Sequence, residues 1–429
     1  MTELSHQAAG DPLGQFIPLS RIDLRDALTA QGAFDSEEER EKFRELAAML
    51  TSILHYEYTM PLERLREAYH YFSPDVAPHM AMDREKTERC YAEFVRSLDD
   101  VLKKANFVAL EHHEVHEAHR RRPFRVHISV PLDDFREVRF YCRGHHVEYV
   151  DAADWFGLRQ RKIPHEVYDD VVLLVALKSE AEIASRREVR MLERRKIFPG
   201  TVMLKYFRNI AATDLYALFP NVRVVMSSRD KLVLGVPALA GGIPILFNLY
   251  ATITVLFIVI GFYLGRHVEV ADKDMKTALT ALGGIAALGG FVVQQWIKYQ
   301  RQSLKYQIEL NDNIYYRNLN NNMGIFNYIV GAAEEQDLKE SCIAYHFLRT
   351  AVTPPTADEL DRRIEAWFAQ SFGIELDFDV TDALAKLERF GLLRREGGRL
   401  FVSPLDEAIG QLHQVWVNFF GHRELQAAQ

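Results

Sequence analysis

The stretch from Leu232 to Gly265 contains no Asp, Glu, Lys or Arg over thirty-four residues. Few features restrict a chain more, because a run of that kind has to leave water. Its second part, IPILFNLYATITVLFIVIGFYLG from Ile243 to Gly265, is twenty-three residues long. As a helix it would span roughly 34 Å, enough for a hydrocarbon core of about 30 Å. After the polar segment RHVEVADKDMK a second uncharged run follows, from Thr277 to Ile297. The pair reads as a helical hairpin through a membrane. The rest must face water, since 26% of all residues are charged and the mean hydropathy is only -0.16.

The expected organisation follows from that hairpin. Residues 1–231 form an α+β cytoplasmic domain, and 232–242, rich in Gly and Pro, an interfacial approach. Transmembrane helices cover 243–265 and 277–297, joined by an external loop at 266–276. A juxtamembrane helix occupies 298–332, and 333–429 form a mainly helical, acidic domain with a winged-helix-like module. Basic flanks set the orientation. Arg223, Arg229, Lys231, Lys298, Arg301, Lys305 and Arg317 lie outside the two runs, whereas Arg266, Lys273 and Lys276 lie between them. Seven against three places both termini in the cytoplasm, in a multi-pass protein of the inner (cytoplasmic) membrane. The opening MTELSHQAAGDPLGQF has neither the basic nor the apolar region of a secretory signal. Cys90, Cys142 and Cys342 stand far apart, which suits a reducing compartment and gives no metal framework.

In the first half, Ser36 followed by Glu37, Glu38 and Glu39 is a helix start, and Phe43, Leu46, Leu50 and Leu54 keep one face of that helix apolar. Valine-rich alternation predicts strands at 124–130, 137–143 and 170–178. His112, His116 and His119 fall at i, i+4 and i+7, one face of a helix. A catalytic zinc helix needs HExxH, and His113-Glu114-Val115-His116 is one residue short, so a solvated helix outweighs a metal site. Arg187, Arg190 and Arg194 share a helical face and are candidates for anionic lipid headgroups, balanced against a merely solvated face. In the second uncharged run Gly283, Ala286, Ala287, Gly290 and Gln294 form a small-residue stripe suited to close helix packing, within the hairpin or between copies.

NIYYRNLNNNMG followed by AAEEQDLKESCIAYHFL resembles the signature of the transmembrane protein 143 family. FIPLSRIDLRDAL, HYEYTMPLERLREAYHYFSPD and LKYFRNIAATDLYALFPNVRVVMSSRDKLVLGVPALAGG carry the same resemblance. It spans about Phe16 to Leu405 and implies a two-span membrane protein without established catalytic residues. From the residues themselves, Asn320, Asn321, Asn322, Glu334, Glu335, Gln336, Lys339 and Glu340 are candidates for a polar junction between domains, against simple capping and exposure.

TADELDRRIEAWFAQSF, DVTDALAKLERFGLL and RREGGRLFVSP have the order of a winged helix, turning at Gly397-Gly398. From Gly331 to Gln429 there are ten Lys or Arg against seventeen Asp or Glu, a balance of −7 in a chain of −8. That surface repels phosphate, so nucleic acid is excluded and a protein partner expected. No phosphate loop, nucleophile elbow or complete metal motif is present, and no catalytic residue or cofactor is assigned. The expectation is a membrane-anchored scaffold or regulatory protein of unknown activity, in contact with the lipid bilayer and with copies of itself or another protein. A channel built from the hairpins and a metal-dependent enzyme using the His112–His119 tract are the alternatives.

Overall fold

Two serines start the first helices. In the computed structural model Ser20 accepts a hydrogen bond from the Asp23 amide and opens α1, Arg21–Leu28. Ser36 accepts from the Glu39 amide and opens α2, Glu37–His70, with three acids in its first turn against the helix dipole. Helix α3, Arg84–Lys104, is followed by β1, Val108–Leu110, and α4, His112–Arg120. The structure describes residues 12–30, 34–74, 84–120, 126–154, 159–180, 198–220 and 314–426, with 182, 183, 189, 222–226 and scattered positions between 257 and 308.

The strands continue with β2, Val126–Ser129, β3, Phe135–Asp154, β4, Arg159–Leu177, β5, Val202–Ala211, β6, Arg223–Met226, and β7, Asn318–Asn321. An antiparallel sheet has the order β1-β3-β4-β5-β7, and β2 pairs separately with β6. The C-terminal part adds α5, Ile325–Arg349, α6, Ala357–Phe372, and α7, Val380–Arg389. The hairpin β8, Leu393–Glu396, and β9, Arg399–Val402, turns through Gly397 and Gly398, both at positive φ, before α8, Leu405–Gln426. The chain clusters into two compact units that do not follow chain order. The larger takes residues 1–120, 132–215 and 317–429; the other takes 121–131 and 216–316.

Within the larger unit α5 is the central helix. Its first half, with Phe326, Ile329 and Ala333, packs with α3 and the sheet face carrying Val172, Leu174 and Leu204. Its second half, with Ile343, Tyr345 and Leu348, packs with α1, the start of α2, α6, α7 and α8. Helix α2 likewise passes from one cluster to the other, with Leu46 and Leu50 in the second and Leu65 and Tyr69 in the first.

The described helices do not form the expected transmembrane hairpin. A span needs about twenty consecutive apolar residues in one helix, and among the described residues no helix is long and apolar enough to cross a membrane. The long described helices fail on composition: α2 has charged residues along its length, and α5 carries Glu334, Glu335, Asp337, Lys339 and Glu340 at its middle. The integral membrane protein anchored in the cytoplasmic membrane, the scaffold built on that anchor, and the multi-pass topology fall with the hairpin. Of the two uncharged runs only isolated positions are described, among them Phe257, Gly261 and Leu264 in the first. The remaining positions of both runs, and the segments 232–242 and 266–276, lie outside the described residues. What the described residues form is an α+β fold.

Candidate functional site

The seam between the two clusters is polar. Where α5 crosses from one to the other it carries Glu334, Gln336, Asp337, Lys339, Glu340 and Ser341, all buried. Buried charge is tolerated only when it is paired and hydrogen-bonded, so each of these groups must have a partner. The partners come from four directions.

From α7, Lys386 reaches into the seam, its Nζ lying 2.7 Å from Glu340 Oε2, 2.6 Å from Asp337 Oδ1 and 2.5 Å from Asp382 Oδ2. The approach to Asp337 Oδ1 is an ion pair without aligned hydrogen-bond geometry. From α2, the Tyr58 hydroxyl donates to Asp337 Oδ2 at 2.7 Å, and His55 Nδ1 lies 2.9 Å from Glu334 Oε2. From the N-terminal strap before α1, the Ile17 amide donates to Gln336 Oε1 at 3.4 Å, and the Ile17 carbonyl accepts from Lys339 Nζ at 3.1 Å. Asn106, in the left-handed turn after α3, donates to both the Gln15 carbonyl and Glu340 Oε1.

The electrostatics follow from the count of charges. Three carboxylates surround one ammonium, so the centre carries excess negative charge. Burial, opposed by Lys386 and reinforced by Asp337 and Asp382, pushes the Glu340 carboxyl up to about 7. Burial disfavours the charged form of Lys386, but Glu340, Asp337 and Asp382 outweigh it and raise its pKa. Burial and Asp337 keep the Tyr58 phenol protonated. Asp337, Glu340 and Asp382 offer oxygens within 4.8 Å of one another, a spacing that suits a metal ion. The Lys386 ammonium touches all three, so an added cation would meet a positive charge already in place. Among these groups only Asp382 is half exposed, at 48% of its side chain.

The strap has a second anchor on the sheet. Arg143 on β3 lies 4.4 Å from the centre of the Phe16 ring and 4.7 Å from that of Phe107. It also forks onto Asp170 of β4, whose other oxygen accepts from Arg208 on β5 at 3.1 Å. Gly144 turns at φ +62, and a Cβ there would come within 2.3 Å of Asp169 Oδ2 and 2.9 Å of Phe16.

The other candidate residues are placed as follows. Glu335 is half-buried and pairs with Lys339 at 2.7 Å. Asn320 and Asn321 lie on β7, and Asn322 adopts the left-handed backbone at φ 51 beside β5, accepting from the Leu204 amide. The three asparagines are thus part of the sheet edge, while Glu334 to Glu340 form the seam. His112 and His116 are exposed on α4, and the side chain of His119 lies outside the described residues. Gly283, Ala286, Gly290 and Gln294 are helical and exposed in the smaller unit; Ala287 lies outside the described residues, as do Arg187, Arg190 and Arg194. Sequence reasoning missed Asp337, Lys386, Tyr58 and Arg143. Asp337 and Lys386 had a signal: each is a charged residue among apolar helix positions that turn inward.

The fold and seam define a class, an α+β protein whose interior charges serve as internal fasteners. Residues 168–324 match a family described as a protein of unknown function, DUF3754. The match runs from Tyr168 on β4 to Gly324 at the start of α5, so this part of the chain is similar to that family. No solved structure matches the chain.

Proposed function

We propose that the chain works through protein contact, associating with a second copy of itself through the outer part of β3 and β4. One observation carries this reading. Among the described residues β1 pairs with β3 at 140–142 and β5 with β4 at 167–176, while β3 and β4 run on together to Asp154 and Arg159. A two-stranded ribbon is marginally stable alone and leaves edges that seek a partner. On one face the register brings together Val147, Tyr149 and Pro164, all exposed, with Tyr149 at 68%.

A second copy is the fitting occupant because the ribbon is self-complementary in charge. In register, Asp151 on β3 is the partner of Lys162 on β4, two positions beyond the Tyr149–Pro164 pair. A two-fold axis running along the ribbon lays β3 of one copy over β4 of the other. The seam fastens α2, α5 and α7 to one another, and the strap it holds is anchored on the sheet through Phe16 and Arg143.

The test is the mass of the purified full chain by light scattering across concentration. A concentration-dependent dimer is expected, converted to monomer by Val147→Asp with Tyr149→Asp, while circular dichroism stays unchanged. A monomer at every concentration, or a dimer indifferent to the double substitution, overturns the proposal.

A further inference from the structure

Between α1, α2 and α5 lies a groove of about 250 Å³. Leu24, Leu28, Phe43, Leu338 and Cys342 give it an apolar lining. Four further lining residues are cations, Arg21, Arg25, Arg44 and Lys339, and among the described residues no Asp or Glu lines it. In a chain of net charge −8 that composition is a departure in sign.

The cations keep donors for a further acceptor. Arg21 uses one terminal nitrogen on Glu334, and Arg44 uses one on Glu41 and Glu37. Arg25 places two nitrogens on a single oxygen of Asp26. A guanidinium has five N–H groups, so each fork has N–H groups beyond these contacts. Lys339 is the buried member, with its ammonium on Glu335 and the Ile17 carbonyl, and burial lowers its pKa. An anion in the groove would offset the penalty of holding that charge among apolar side chains.

We propose that this groove binds a small amphiphilic carboxylate, its alkyl tail on the apolar lining and its headgroup among the arginines. At roughly 30 Å³ for each water-sized group, the volume accepts about eight such groups, which selects a medium-chain acid over a long-chain one. The apolar lining supplies affinity, and the cations supply selection of sign. The site is independent of the β3–β4 ribbon, which lies on other elements.

Calorimetric titration of the full chain with octanoate tests this, with octyltrimethylammonium and octanol as probes of equal tail length. One octanoate per chain is expected, with no binding of the ammonium and weaker binding of the alcohol. Arg25→Ala with Arg44→Ala, both at exposed positions, should weaken octanoate by about tenfold or more. Ala47→Trp, on the wall of the groove, should abolish binding, and urea unfolding of each variant confirms that it is folded. Equal binding of octanoate and octyltrimethylammonium would reduce the groove to apolar surface. Absence of octanoate binding at millimolar concentration, or binding unaltered in both variants, overturns the proposal.

Discussion

Glu340→Gln isolates the proton at the seam. In the folded chain Glu340 sits on Lys386 and Asn106 with its pKa near 7, against an ordinary value of 4.5. Between those values the folded state holds a proton that the unfolded state has released. The stabilisation tied to that proton is complete below about pH 4.5 and is lost as pH rises through 7. At about 1.36 kcal/mol for each pH unit, the difference between 4.5 and about 7 amounts to about 3 kcal/mol. Glutamine has the shape of the protonated acid and keeps it at every pH. The variant should therefore gain on the wild type by about 3 kcal/mol between pH 4.5 and pH 8, whatever its offset at a single pH. Urea unfolding of both proteins at half-unit steps, followed by the fluorescence of Trp367 against Phe347 and Phe368, measures the difference. Subtracting the wild type at each pH removes the titrating groups that do not interact with Glu340. A difference that stays flat from pH 4.5 to 8 would show Glu340 ionised throughout and refute the reasoning.

Three further outcomes are expected. Lys386→Met removes the cation that pairs with Asp337 and Glu340 and should cost about 3–5 kcal/mol in urea unfolding at pH 8, less at pH 5, where a carboxyl is protonated. His346 is buried among Phe34, Phe43 and Phe347, and burial, with Arg349 and Arg363, lowers its pKa to about 4. Its neutral form stabilises the fold above pH 6.5, and that contribution disappears as pH falls to about 4; His346→Phe should remove this loss, about 3 kcal/mol, from the urea-unfolding profile. Gly144→Ala forces a side chain into a left-handed turn against Asp169 and Phe16 and should lower stability by about 1–3 kcal/mol in the same assay.

Local chemistry made parts of the fold legible from the sequence. The cap at Ser36, its three following acids and the apolar spacing of Phe43, Leu46, Leu50 and Leu54 were sufficient to read α2. Asn318 to Asn321 carry no strand signal because Asn is a poor strand former, yet β5 offers an edge that recruits them as β7. Asn322 and Gly324 carry the specific reason: one tolerates φ 51, and a Cβ on the other would meet Asn320 at 2.3 Å. The polar residues of α5 were visible as a group, but their burial was not. Glu340 and Lys386 are forty-six positions apart and become partners only when two helices pack. Arg143 gives no sequence signal for its place between Phe16 and Phe107, which precede it by 127 and 36 residues. The uncharged run at Leu232 predicts a span, and among the described residues no helix is long and apolar enough to cross a membrane.

Because α5 belongs to both hydrophobic clusters and comes late in the chain, assembly has a timetable. Leu46, Leu65 and Val172 leave the ribosome long before Ile329 and Ile343, the residues that cover them. The 312 residues that follow Glu37 up to Arg349 take roughly 15–60 s to synthesise at about 5–20 residues per second. For that interval the first helices and the sheet carry apolar surface with no lid. A ribosome stalled before α5 would hold a chain open to proteases and chaperones, and one stalled after Arg389 would have delivered both the helix and the lysine that closes it.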